Sequence, residues 1–321
     1  MGAHRAVEDR VGVFALSCVT AFLGGVALAG QSRINGHLAA HTQDAVLAAA
    51  FTFFTGWLLL CVGLTLRTPR AGLRQAYATY RAHQIPAWVF FSGFFGALWV
   101  VSQAFAVPLA GVALFTVGAV AGQTGGGLLI DRIGLGPAGR QVISPSRIGA
   151  ALLALGGVTL AASERVSSAG LSVLVPVVVA VLGGAAIAMS AANNGRINIA
   201  SRNFVATSWI NFTWGTAALL VICGTRLASG ATLWPDWTGA PWWAYFAGVL
   251  GVAYVANSSV VVRHLGVLLL MLMTLTGQTS GAVLFDLLDP ATRAYLTATL
   301  LGGVGVTLVA ALWAVRAAAR R

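Results

Sequence analysis

The chain has very few charged residues, and this scarcity excludes a soluble fold. Charged residues make up 8% of its 321 residues, only eight residues are acidic, and no lysine occurs, so all 19 basic residues are arginine. Soluble globular domains carry roughly 25% charged residues. The hydrophobic share of 58% points the same way. We therefore predict an all-α integral membrane protein whose surroundings are the lipid bilayer.

Catalytic and metal-binding motifs are also missing. The sequence has no His-Glu-x-x-His, Gly-x-Ser-x-Gly or phosphate-loop motif, the patterns typical of metalloproteases, serine hydrolases and nucleotide hydrolases. His37 and His41 have the i, i+4 spacing of metal ligands, but two histidines alone make a weak ligand set. We therefore expect no enzyme activity, no cofactor and no metal.

None of the acidic residues lies in the middle of an apolar stretch. Proton-coupled exporters commonly place a carboxylate deep in the bilayer as a proton relay. Coupling to protons is therefore either absent here or runs through the aspartates at the ends of helices, Asp131 and Asp286.

Uncharged runs of about 20 residues predict ten transmembrane helices. The runs lie near 11–31, 45–66, 86–107, 109–130, 148–162, 171–192, 205–224, 242–262, 265–285 and 296–315. They divide the chain into an N-terminal tail (1–10), a first group of five helices (11–162), an external linker (163–170), a second group of five (171–315) and a C-terminal tail (316–321).

The arginines predict the orientation in the membrane. When alternate connections are counted together, fifteen arginines fall on one side and four, Arg33, Arg165, Arg226 and Arg293, on the other. Cytoplasmic loops are enriched in arginine, so we expect a multi-pass inner (plasma) membrane protein with both termini in the cytoplasm. A nucleic-acid-binding footprint would lie on one folded surface rather than on alternate short loops, so no nucleic-acid partner is expected.

The two groups of helices share sequence motifs. The pattern Gly-Gln-Thr-x-Gly-x4-Asp occurs at 122–131 and again 155 residues later, at 277–286. Further upstream, Gln31-Ser-Arg33-Ile34-Asn35 matches Asn194-Gly-Arg196-Ile197-Asn198 at an offset of 163, and Phe53-x-x-Gly56 matches Phe212-x-x-Gly215 at 159. Because each group has an odd number of helices, the second enters the membrane from the opposite side. The fold predicted is therefore two inverted five-helix repeats with a site where they meet.

Polar and aromatic side chains on single helical faces are candidates for a substrate pathway. An amide inside an apolar span is costly unless it faces a partner or a wet cavity. These residues are spaced three or four apart or recur in the repeat, and they predict a cavity for a small polar or amphipathic metabolite. Alternatively, individual amides serve as hydrogen bonds between helices. The residues are Gln31, Asn35, Trp99, Gln103, Gln123, Asn194, Asn198, Tyr254, Asn257 and Gln278.

Glycines and end-of-helix charges complete the candidate residues. Gly122 with Gly126, and Gly277 with Gly281, form small-xxx-small faces on which two helices can pack closely. The repeat permits two ion pairs between its halves, Arg33 with Asp286 and Arg196 with Asp131, which we predict to act as alternating gates. The alternative is that the aspartates are interfacial charges solvated by water and headgroups, in pairs that contribute little.

The sequence resembles the YdcZ-type branch of the drug/metabolite transporter superfamily, whose relatives include the EamA-type exporters. The resemblance rests on Gln31-x-x-Ile34-Asn35 after Gly24-Gly25, on Gly93-x-x-Gly96-x-x-Trp99-Val100, and on Gly122-Gln123-x-x-Gly126-x4-Asp131 with Gly134. It covers residues 11 to 315. It implies a ten-helix inner-membrane transporter with a central pathway lined by helices one, three, four, six, eight and nine. Relatives export amino acids, nucleosides and other metabolites.

The function expected from these features is export of a small-molecule substrate by alternating access. A non-transporting membrane scaffold or a lipid-handling membrane protein is the alternative. The residues leave the oligomeric state, the cargo and the driving force open.

Overall fold

The computed structural model describes residues 2–166, 174–232, 239–288, 290 and 296–319. Every regular element in these ranges is helical. The elements are α1 (Gly2–Thr42), α2 (Ala45–Gly63), α3 (Arg67–Arg81), a 3-10 turn (Ala87–Phe91), α4 (Ser92–Ile133), α5 (Pro145–Val166), α6 (Leu174–Ser201), α7 (Phe204–Ala228), a second 3-10 turn (Trp242–Phe246), α8 (Ala247–Leu288) and α9 (Ala298–Ala319).

Two tight turns begin the two halves in the same way. Gln43 and Arg202 each have a positive φ, which reverses the chain after α1 and after α6. Asp44 and Asn203 follow them; the Asp44 side chain accepts hydrogen bonds from two backbone N–H groups in the first turn of α2, and the Asn203 side chain accepts one in the first turn of α7. Such caps satisfy donors that the helix itself leaves unpaired. Each turn therefore makes its two helices antiparallel neighbours.

The long helix α4 folds back on itself. Trp99 and Phe115 are sixteen positions apart, a distance of about 24 Å along a straight helix, yet their ring centroids lie 5.3 Å apart. We call residues 92–106 and 115–133 its first and second legs. In α8 the break is at Gly266, whose φ of 74° and ψ of 171° are not helical. Residues 247–265 and 267–288 are the two legs of α8.

Seven helical stretches of the described chain are long and apolar enough to cross a bilayer. The longest, Trp242–Leu288, contains the Gly266 break, and α5 contributes a shorter apolar stretch, Pro145–Leu160. Together with the helix-only architecture, these stretches agree with the predicted integral membrane protein. The other long stretches are Gly12–Thr42, Ala45–Gly63, Ala87–Ala106, Leu174–Ser201, Phe204–Ala228 and Ala298–Ala319.

Three helices extend beyond the predicted spans into the predicted tails and linker. Helix α1 begins at Gly2, inside the predicted N-terminal tail, and α9 continues to Ala319. Helix α5 runs to Val166, so the first half of the predicted linker is helical. Residues 167–170 of that linker lie outside the described residues.

The packing between the halves is reciprocal. Helix α1 packs on the second leg of α8, where a methyl group at Gly25 would overlap the carbonyl oxygen of Thr274. Helix α6 packs on the second leg of α4, where a methyl group at Gly184 would overlap the carbonyl oxygen of Ala119. In α1 and α6 the matching residues are 159 apart, and in α4 and α8 they are 155 apart.

The bundle has two ends, which we name by their aspartates. At the Asp44 face, α1 ends and α2 begins, and Arg226 at the end of α7 bonds to Asp44. At the Asp131 face, α6 ends and the chain turns at Gly266, whose Cα lies next to the Asp131 carboxylate. The amphipathic helix α3 lies on the Asp131 face, where Gly72 packs against Asn203.

Candidate functional site: a neutral cavity between the two halves

A cavity of about 350 Å³ lies between the two halves. Its walls come from α1, α2, both legs of α4, α6, α7 and both legs of α8. Eight of the ten predicted pathway residues line it: Gln31, Asn35, Trp99, Gln103, Gln123, Asn194, Tyr254 and Gln278. No charged side chain occurs among the residues that form its wall in the described chain.

The four glutamine carboxamides in the wall have no hydrogen-bond partner within the described chain. Gln31, Gln103, Gln123 and Gln278 make no side-chain hydrogen bond with any other described residue, and Gln103 is exposed at the opening. Gln123 is only 8% exposed. The hydroxyl of Thr274, one helical turn before Gln278, is buried beside the Tyr254 hydroxyl without well-formed hydrogen-bond geometry. Polar groups buried in this way are costly until something hydrogen-bonds to them.

Two other amides are held by matching hydrogen bonds. The Thr52 hydroxyl donates to Oδ1 of Asn35 at 2.6 Å. At the equivalent place in the second half, the Asn211 amide donates to Oδ1 of Asn194 at 3.1 Å. Each bond joins residues 17 positions apart. Asn211 also donates to Ser190, which is itself part of the cavity wall, so these amides have fixed orientations.

Two aromatic rings also form part of the cavity wall. Phe53 of α2 and Phe212 of α7 face each other with ring centroids 5.2 Å apart. Each ring packs against a glycine of the opposite half, Phe212 against Gly56 and Phe53 against Gly215. Because neither glycine has a side chain, the rings can approach the backbone closely. The two halves therefore contribute matching contacts to the centre of the cavity.

The cavity opens toward the Asp44 face. Ser32, Gly36 and Gln103, which line it on that side, are exposed. Toward the Asp131 face its wall ends at Asn194 and Ser258, which are 2% and 1% exposed. The cavity is thus accessible from one end of the bundle.

Tight packing closes the other end. Beyond Asn194, the side chains of Ile197 and Val262 are fully buried. Gly195 leaves room for Pro137, which comes from the connection between α4 and α5, and for Val262. Residues of both halves therefore form the barrier on the Asp131 face.

Asp131 organises this barrier. Its carboxylate accepts hydrogen bonds from the backbone N–H groups of Val267 at 2.8 Å and Leu268 at 3.2 Å, at the start of the second leg of α8. It also pairs with Arg147 of α5. A carboxylate at a helix N-terminus is favoured by the helix dipole and by the unpaired donors there. Asp131 thus joins three helices at the closed end.

Asp44 has a similar capping role at the opposite face. Burial opposes ionisation of Asp44, but hydrogen bonds from Thr232, from the Leu47 backbone, from Arg226 and from the Val46 backbone outweigh it and hold the pKa of this carboxyl below its ordinary value. The ion pair to Arg226 measures 2.7 Å and joins α2 to α7. This contact is structural and lies outside the cavity wall.

Two predicted pathway residues lie elsewhere. Asn257 donates a hydrogen bond to the carbonyl oxygen of Thr20 at 2.7 Å, so it connects α8 to α1. Asn198 lies beside a separate surface pocket at the Asp131 face. The contact of Asn257 matches the alternative of a hydrogen bond between helices, whereas the Asn198 side chain makes no hydrogen bond with another described residue.

Sequence reasoning missed several residues of the wall. Phe53 and Phe212 were visible as members of the repeat, but nothing in the sequence assigned them to a cavity. Asn211 and Ser190 are polar residues within apolar spans, which was the available signal for them. Thr274 has a side chain that often satisfies itself within a helix, so sequence alone does not distinguish it.

Of the two predicted ion pairs, one is formed. Nη1 of Arg33 lies 3.0 Å from Oδ1 of Asp286, and both side chains are about a third exposed. The pairing of Arg196 with Asp131 is not formed in this structure. Asp131 binds Arg147 instead, and the Arg196 guanidinium lies over the Trp88 ring, 5.7 Å from its centroid. The gating role itself stays a prediction.

A shift of register explains the missing pair. The contacts of α1 and α6 correspond at an offset of 159, whereas the motif match used 163, which is one helical turn further on. At 159, the equivalent of Arg33 is Ala192, and the equivalent of Asn35 is Asn194, as their hydrogen bonds indicate. Arg33 and Arg196 are therefore not equivalent residues.

The four predicted packing glycines all lie at close contacts. A methyl group at Gly122 would overlap the Val181 carbonyl oxygen, and one at Gly277 would overlap that of Phe22. Gly126 and Gly281 follow one turn later, against the Ala185 and Val26 backbones respectively. These glycines therefore allow α4 to pack closely on α6 and α8 to pack closely on α1.

The apolar helices around a polar cavity define a multi-pass membrane protein. A family model described as "Putative inner membrane exporter, YdcZ" matches residues 16–160 and 175–313. The chain therefore belongs to the DMT_YdcZ family, within the drug/metabolite transporter superfamily, and the resemblance found in the sequence is confirmed. The family model describes inner-membrane exporters.

Comparison with solved structures identifies a protein of the same architecture. One crystal structure superposes with a TM-score of 0.69 over 96% of this chain and 98% of the other, at 20% sequence identity. At that identity the likeness shows a shared fold alone. A comparison with curated proteins finds no match.

Proposed function

We propose that this protein is a secondary transporter that exports a small polar or amphipathic metabolite by alternating access. One observation carries the proposal: a polar cavity between the halves is accessible from the Asp44 face and sealed at the Asp131 face. A binding site reached from one side at a time is what alternating access requires. Membership of an exporter family supports the direction.

The proposed architecture is ten transmembrane helices in two inverted five-helix repeats. Counting the two legs of α4 and of α8 separately, and adding α1, α2, α5, α6, α7 and α9, gives ten. The reciprocal contacts of Gly25 and Gly184 support a two-fold relation between the halves. Asp131 and Asp286, which are equivalent in sequence, lie at opposite faces, and this supports inversion.

The arginines support an assignment of the faces. Arg67, Arg70, Arg74 and Arg81 all lie on α3 at the Asp131 face. By the positive-inside rule this face is cytoplasmic, and the Asp44 face is external. The conformation described here is then open to the outside, with the barrier around Asp131 closing the cytoplasmic side.

Alternation between the halves follows from the repeat. In the opposite conformation, packing of the end of the first leg of α4 against the end of α1 would close the Asp44 face, while the contacts of Gly195 with Pro137 and Val262 would separate. The paired Phe53 and Phe212 rings lie near the two-fold axis and would stay in contact in both conformations. The site would thus be exposed to each side in turn.

Reconstitution into liposomes tests the proposal. Vesicles are loaded with a mixture of small polar metabolites, and mass spectrometry follows their release relative to protein-free vesicles. We expect selective release of one chemical class, and its loss in Gln123→Ala and Gln278→Ala with folding intact. The matched control is Gln75→Ala, on the exposed surface of α3.

Absence of release for every solute, together with tight binding of another membrane protein, would contradict the proposal and favour a non-transporting scaffold. Equal release through the wild type and both cavity variants would show that the pathway lies elsewhere.

A further inference from the structure

We propose that the solute bound in this cavity carries no charge and bears an amide-like group that both donates and accepts hydrogen bonds. This inference rests on the proposed transport function and deepens it by assigning the substrate class. It starts from the four unpartnered glutamine carboxamides in the cavity wall, those of Gln31, Gln103, Gln123 and Gln278.

The glutamines supply a complementary set of donors and acceptors. Each carboxamide offers one oxygen acceptor and two N–H donors. Gln123 and Gln278 are equivalent in the two halves, so similar groups approach a solute from two opposite walls. A carboxamide, lactam or urea group has the same mixed pattern and can satisfy both. A carboxylate only accepts and an ammonium only donates, so either would leave half of each glutamine amide unpaired.

The cavity provides no compensation for a charge. Its wall within the described chain contains no arginine, lysine, histidine or acidic residue. Charged groups on two of the helices that line the cavity are already paired: Asp131 of α4 is held by Arg147 and by two backbone N–H groups, and Arg33 of α1 pairs with Asp286. A charge transferred from water into such a site costs much more than a hydrogen-bonded amide does.

The rings favour a flat solute. Trp99 and Tyr254, which occupy equivalent positions in the repeat, line the cavity together with Phe53 and Phe212. Their faces can pack on a planar ring or amide plane. A volume of about 350 Å³ lies at the small end of ligand sites. Aromatic faces also attract cations, so a cationic ligand is the competing outcome that the experiment must exclude.

A set of isosteric probes tests the charge requirement directly. Benzamide, benzoate and benzamidinium share one shape and are neutral, anionic and cationic, and nicotinamide and nicotinate form a second pair, neutral and anionic. Binding to the purified full-length protein in detergent is measured by isothermal titration. We expect both neutral amides to bind at least about tenfold more tightly than their charged counterparts, as the cost of an unpaired polar group predicts.

A substitution that adds a charge should reverse this preference. Gln278 is half-buried in the wall, and Gln278→Glu changes its shape little. We expect benzamidinium to gain at least about tenfold relative to benzamide in this variant. Gln31→Glu, nearer the opening, is a second variant in case Gln278→Glu does not fold. Gln75→Glu, on exposed α3, is the matched control and should leave the preference unchanged.

Charged probes that bind the wild type as tightly as the neutral amides, or no binding by any probe, would overturn the inference. So would selective release of charged metabolites in the liposome experiment. That last result would leave the proposed transport function intact, because it still requires selective flux, whereas loss of all flux would overturn the transport function itself.

Discussion

Replacement of Asp131 by asparagine should destabilise the protein far more than the same replacement of Asp286. Both residues occupy the last position of the repeated Gly-Gln-Thr-x-Gly-x4-Asp pattern, so the two variants are matched by sequence. Their surroundings differ: Asp131 is 1% exposed, whereas the side chains of Asp286 and its partner Arg33 are 30% and 28% exposed. Burial should therefore decide the size of the effect.

The magnitude follows from the contacts of Asp131. Asparagine at this position keeps an oxygen that can accept from the backbone N–H groups of Val267 and Leu268, so part of the helix cap survives. It loses the charge that holds Arg147. Breaking a buried, charge-assisted pair costs about 2–4 kcal/mol, while an exposed pair contributes about 0–1 kcal/mol.

Equilibrium unfolding in mixed detergent micelles measures both changes. A further variant, Arg147→Met, and its combination with Asp131→Asn complete a double-mutant cycle. We expect the double variant to be less destabilised than the sum of the single variants, because each single change leaves one charge without its partner. Equal, small effects of Asp131→Asn and Asp286→Asn would refute this account of the barrier.

Two further predictions concern packing and pH. Gly122→Ala should lower the free energy of unfolding by more than about 2 kcal/mol, because the added methyl group would overlap the Val181 carbonyl oxygen. The control Gly125→Ala, on an open part of the same helix, should change the free energy of unfolding by less than about 1 kcal/mol. Similar thermal denaturation of the two variants would contradict the packing. Asp44 has a pKa held below its ordinary value, so its stabilisation is complete above the unfolded pKa of about 3.9 and is lost as pH falls through the lower folded pKa. Asp44→Asn should remove this acid-dependent part of the unfolding curve, and an unchanged pH profile would count against the cap.

Composition and periodicity were enough to predict the membrane class, and the repeated glycines indicated which helices approach closely. The overlap at Gly122 and Gly277 comes from backbone contacts, which small-xxx-small spacing anticipates. Eight of ten predicted pathway residues line the cavity because an amide in an apolar span needs a polar neighbour or a wet space.

The remaining features depend on geometry that a single sequence leaves undetermined. Asn198 and Asn257 have the same chemistry as the amides in the cavity wall, and only their helical rotation separates them. Arg196 does not pair with Asp131 here, because the motif match between α1 and α6 is one helical turn away from the correspondence that their contacts show. Arg147 lies in a different helix and has no counterpart in the repeated motif, so nothing in the pattern indicated it as the partner of Asp131.

Labelling of engineered cysteines tests the central claim, that the two halves have opposite orientations in the membrane. Arg132→Cys and Leu288→Cys place single thiols at exposed positions beside Asp131 and Asp286, in a background where Cys18, Cys61 and Cys223 are replaced by alanine. A membrane-impermeant maleimide is applied to cells with a permeabilised outer barrier and an intact inner membrane. We predict that Leu288→Cys reacts from outside and that Arg132→Cys reacts only after the inner membrane is opened. Reaction of both thiols from the same side would contradict the inverted repeat and the alternating-access mechanism built on it.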